Sequence, residues 1–119
     1  MKKILLSALF TGMMLSAFSA SAQETLPAGV VQKGTLADET LTRDAMGGVL
    51  GVVAAKYHCS NANDYTPYIL RAPKGAAGRR AWDERWLIAC SGKQYPVDIH
   101  FQETGSGQGT DWAILTPVK

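Results

Sequence analysis

The chain has 119 residues, 46% apolar and 18% charged, with two cysteines and a formal net charge of +2. That length bounds it to one domain and excludes a doubly wound nucleotide enzyme or a TIM barrel. The composition is that of an ordinary globular chain, not a disordered, collagen-like or coiled-coil one.

Met1-Lys2-Lys3 is followed by an apolar run from Ile4 to Phe18 and then by Ser19-Ala20-Ser21-Ala22. A basic start, a short apolar region and an A-x-A-type site predict a cleaved secretory signal over residues 1–22. The run is shorter than the roughly 20 residues of a spanning helix, and no Cys follows the cleavage site for lipid attachment. The mature chain, Gln23 to Lys119, then carries ten basic and ten acidic side chains, because Lys2 and Lys3 leave with the signal. Such a balance gives a nucleic-acid partner no basic excess to bind. Val49 to Ala55 is too short to span a membrane, so the product is expected in the periplasm or outside the cell. Cys59 and Cys90 both survive processing, and an even cysteine count in an exported chain predicts a disulfide. A redox role lacks the C-x-x-C spacing that tunes thiol reactivity.

Residues 23–37, with Pro27 and Gly29, read as a loosely ordered leader, and 38–119 as the single folded domain. A helix is expected over Leu41 to Tyr57, where Met46, Val49, Leu50, Val53 and Tyr57 recur at helical spacing. Thr40 or Thr42 would cap it, with Asp44 in its first turn. Gly47, Gly48 and Gly51 each cost roughly 1 kcal/mol there relative to Ala and imply close packing of helix on sheet. Four strands follow: Tyr65–Ala72, with Pro67 marking an edge, then Ala81–Ser91, Tyr95–Gln102 and Thr110–Thr116.

The second and third strands form a hairpin. A Gly92-Lys93 loop has Gly first, as a type II′ turn requires, and it sets Cys90 opposite Tyr95, Trp86 opposite Ile99 and Glu84 opposite Phe101. Nearly every apolar residue then shares one face, while Asp83, Arg85, Asp98, His100 and Gln102 share the other. A one-residue slip would break this agreement. The apolar face needs a cover, and the helix is the candidate. The expected fold is therefore α+β: one N-terminal helix packed on a four-stranded antiparallel meander, joined by one helix–sheet disulfide at one pole. The two long loops and the helix N-terminus gather at the other.

The loop pole collects Lys74, Arg79 and Arg80 from one Gly-containing loop and Glu103 from the other, with Trp82 and Glu84 just below. Arg and Trp are favoured anchors of binding surfaces, so these six form the candidate site. Glu84, between Trp82 and Trp86 on the apolar face, would be a general acid if half-buried, alone or paired with Glu103. Otherwise it is a solvated or ion-paired end residue, with Arg79, Arg80 and Glu103 its nearest partners. Asp98, His100 and Arg85 on the outer face suit cross-strand ion pairing better than a metal, since two ligands are too few. His58 is expected to meet the helix dipole. No motif for a cofactor is present.

The stretch Trp82-Asp83-Glu84-Arg85-Trp86, then Cys90 and Gly92, then Gly109-Thr110 and Trp112, resembles small exported proteins of Gram-negative bacteria. The likeness covers roughly the last forty residues and implies a compartment, with no activity attached. The sequence thus points first to a non-catalytic binding module for an envelope or secreted protein, with an inhibitor or immunity protein as a special case. A small hydrolase using Glu84 is the second expectation, and a structural protein without a site the third. The exposed sheet edge leaves a homodimer by edge pairing open.

Overall fold

The computed structural model describes residues 25–105 and 109–118. The expected signal, residues 1–22, and Ser106, Gly107 and Gln108 lie outside the described residues. The elements are β1 (Gln32–Lys33), α1 (Glu39–Tyr57), β2 (Asp64–Lys74), β3 (Ala81–Cys90), β4 (Lys93–Glu103) and β5 (Thr110–Ile114). The strands form one antiparallel sheet in chain order, β1-β2-β3-β4-β5. The sheet therefore has five strands rather than four, and a strand precedes the helix. The added strand, β1, comes from the leader and pairs Gln32 with Ile69 and Lys33 with Tyr68. It also removes β2 from the edge. Pro67 sits where β1 ends: its carbonyl accepts from Gly34 N–H, and it has no N–H to carry the ladder further.

Asp38, not Thr40 or Thr42, caps α1. Its side chain accepts from Leu41 N–H at 2.8 Å, and the helix consequently begins before Leu41. The C-cap is His58 in the left-handed conformation (φ 58°), with Cys59 N–H reaching back to the Val53 carbonyl. This closes the orphan carbonyls of the last turn and turns Cys59 toward β3. The buried helix stripe is Ala45, Val49, Val52 and Val53. Leu50, expected inside, is 42% exposed. The stripe is rotated because α1 lies over β4 and β5, where the Trp112 ring occupies the space above Gly48. A Cβ at Gly48 would sit 2.8 Å from that ring, whereas at Gly47 and Gly51 it would meet nothing within 4 Å. Close packing accounts for one of the three glycines.

The β3–β4 hairpin keeps its expected faces but not its register. Its turn is Ser91-Gly92, with φ of 53° and 79°, the two positive values of a type I′ turn, whose twist matches that of the strands. Ile88 therefore faces Tyr95, Trp86 faces Val97 and Glu84 faces Ile99. The displacement is two residues, so side-chain parity is unchanged. Trp82, Trp86, Ile88, Cys90, Val97, Ile99 and Phe101 all lie in the core. Trp82 stacks on Phe101 at 5.3 Å, and Trp86 meets Tyr65 at 5.1 Å. The Cys59–Cys90 disulfide ties the helix end to the end of β3.

Candidate functional site

Glu84 is fully buried. Its Oε1 accepts from the Thr35 hydroxyl at 2.6 Å and Trp86 Nε1–H at 2.8 Å. Its Oε2 accepts from Leu36 N–H at 2.9 Å and Trp82 Nε1–H at 2.8 Å. Four donors match the lone-pair sites of a carboxylate. Glu84 is thus neither a half-buried acid facing a cleft nor an ion-paired end residue. Arg79, Arg80 and Glu103 are not its partners. Two come instead from its own strand and two from the segment just after β1, which lies over it.

Arg80 and Glu103 pair with each other. Arg80 Nε and Nη2 reach the two Glu103 oxygens at 3.0 and 2.7 Å, and Arg80 N–H adds a third bond at 2.8 Å. The Glu103 N–H returns to the Arg80 carbonyl. The Arg80 side chain, then its backbone N–H, hold the Glu103 carboxyl at about 2, below its ordinary 4.5. The stability this depressed pKa contributes is complete above pH 4.5 and is lost as pH falls through about 2. The latch closes the 75–80 loop at its base. Inside it, Gly75 has a φ of 114°, and a Cβ there would lie 2.9 Å from the Arg79 carbonyl. Arg79 lies over Gly105 of the second loop. The two loops therefore meet, as expected. A groove lined by Asp38, Thr40, Asp44, Gly109 and Thr110 brings the helix N-terminus beside them.

Among the six expected site residues, Arg79 and Lys74 are exposed and Arg80 and Glu103 form the latch. Trp82, 5% exposed, and Glu84 belong to the interior. On the outer face Arg85 grips Asp98 with two bonds, at 2.6 and 2.8 Å, as the ion-pairing expectation has it. His100 pairs differently: its Nδ1 lies 2.6 Å from Asp83 Oδ1, while Arg71 Nε donates to Asp83 Oδ2 at 3.0 Å. Arg71 escapes a reading by strand periodicity, because only the register shift after Ile69 brings it opposite Asp83.

A groove of about 640 Å³ runs between α1 and β2 past Thr35, Ala37, Met46, Leu50 and Tyr65. No helix among the described residues is long and apolar enough to cross a membrane. No family model matches the chain, and no match was found among curated proteins or solved structures.

Proposed function

We propose that the protein is a small exported binding module without chemistry of its own, acting through its loop pole on a protein partner in the envelope or outside the cell. An inhibitor or immunity protein is a special case of this. The supporting observation is the contrast between the two carboxylates a hydrolase would use and the cations beside them. Glu84 is sealed and saturated with donors, and Glu103 is occupied by Arg80. Lys74, the last residue of β2 rather than part of the loop, and Arg79, on the 75–80 loop that the latch closes, stand exposed, and a pre-fixed loop binds with less ordering cost. Export is supported by the signal pattern at residues 1–22 and by the disulfide; N-terminal sequencing of the periplasmic product should read from Gln23.

The test uses the mature protein as bait in a periplasmic extract of the source organism, beside Arg79→Glu and Glu84→Gln variants. A partner held by the wild type and by Glu84→Gln but released by Arg79→Glu supports the binding module. A bond-cleaving activity that disappears in a Glu84→Gln variant whose circular dichroism shows it still folded would instead establish the hydrolase.

A further inference from the structure

Strand β2 is irregular where it passes Asp83. Continuing the pairing of Ile69 with Glu84 would set Leu70 opposite Asp83. A register shift puts Arg71 there instead, and a second shift brings Lys74 opposite Ala81. Such bulges re-aim side chains beside binding sites. Here the shifts leave Leu70, Ala72 and Pro73 without a partner on β3, and beside them lies a groove of about 390 Å³, lined by Arg71, Ala72, Lys74, Ala81, Trp82 and His100.

Its lining holds two permanent cations and an imidazole, and no carboxylate. Asp83 lies beneath, with its side chain only 10% exposed, and holds Arg71 through Nε and His100 through Nδ1. The Arg71 terminal nitrogens and His100 Nε2 make no hydrogen bond to it. Asp83 offsets one positive charge. Lys74 has no ion-pair partner among the described residues and supplies a second that nothing here offsets. Between the cations lie Ala72 and Ala81, an apolar floor, while the Trp82 indole points to the other face of the sheet, into the core. The volume is within the roughly 300–1,000 Å³ of small-ligand sites.

We propose that this groove is a binding site for a small organic anion, with its oxyanion head, a carboxylate or a phosphate, between Arg71, Lys74 and His100 and a short apolar body over Ala72 and Ala81. Guanidinium and ammonium donors to such a head give the strong, charge-assisted class of hydrogen bond. The site goes beyond the protein-partner proposal and does not depend on it, since it is read with small anions alone.

The experiment titrates the full disulfide-bonded protein at constant ionic strength with benzoate, phenyl phosphate and inorganic phosphate, following the His100 ring and Arg71 Hε resonances by NMR. Saturable shifts centred on these two residues are expected from benzoate or phenyl phosphate, and whichever saturates at lower concentration identifies the head. Phenyl phosphate should bind more tightly than inorganic phosphate. Lys74→Ala, an exposed substitution, should weaken binding roughly tenfold, about 1.4 kcal/mol, while Lys93→Ala at the opposite pole leaves it unchanged. Shifts that never saturate, or equal weakening by Lys74→Ala and Lys93→Ala, would overturn the site. Equal affinity for phenyl and inorganic phosphate would overturn the apolar subsite.

Discussion

Among the described residues no cation pairs with Glu84. Its two oxygens accept from two indole N–H groups, a hydroxyl and a backbone N–H. An arrangement with no surplus lone pair is sensitive to loss of one acceptor. In Glu84→Gln the amide nitrogen must face either Trp86 Nε1–H or the pair Trp82 Nε1–H and Leu36 N–H, so at least one buried donor is orphaned. The cost should be about 1–3 kcal/mol, read as a lower urea midpoint at unchanged slope. A midpoint shift worth less than about 0.5 kcal/mol, the range of ordinary surface changes, would show that the four bonds do not hold this region together. Which donors meet Glu84 was only half legible. Trp82 and Trp86 lie two residues away on the same face, as strand periodicity dictates. Thr35 and Leu36 lie nearly fifty positions upstream, and nothing local in their sequence points to β3.

The helix shows what element-level reasoning recovers. Its existence follows from apolar spacing, and Asp38 followed three residues later by Leu41 was a readable cap. Its rotation was not readable, because two stripes, one through Leu50 and one through Val52, have nearly equal apolar character, and contact with Trp112 on β5 decides between them. The glycines separate the outcomes experimentally. Gly47→Ala and Gly51→Ala place a methyl in open space and should each stabilise by up to about 1 kcal/mol. Gly48→Ala drives a methyl into the Trp112 ring and should destabilise by about 1–3 kcal/mol, the cost of overpacking. Thermal melts of the three variants would check the ordering, and a stabilising Gly48→Ala would place α1 elsewhere on the sheet. The hairpin follows the same logic: period two fixes the faces, but the choice between two adjacent turns rests on Ser91 accepting a positive φ, for which serine carries no signal.

At the scale of the whole molecule, the disulfide and the loops occupy opposite ends. Alternating strand direction makes this legible, and both cysteines do arrive at one pole. The β2 irregularity that assembles Arg71, Asp83 and His100 was not legible, because Leu70 and Arg71 suit a regular strand equally well. The separation of the poles has an energetic consequence. Helix α1 packs mainly on β4 and β5, so Cys59–Cys90 is its covalent tie to β3. Closing a loop of about 32 residues contributes about 3–4 kcal/mol in the chain-entropy model, set against a total of about 5–15 kcal/mol for a domain. The Cys59→Ser/Cys90→Ser double variant should therefore melt roughly 15–30 °C below the wild type. While it remains folded, it should keep the Arg80–Glu103 latch and the Arg71–Lys74–His100 groove, because neither touches the disulfide pole. Calorimetry on the double variant, with the His100 and Arg71 resonances recorded well below its melting point, tests both halves. A large stability loss with unchanged resonances confirms that the poles are independent. Resonances that move at a temperature where the variant is fully folded would mean that the disulfide shapes the groove through the sheet.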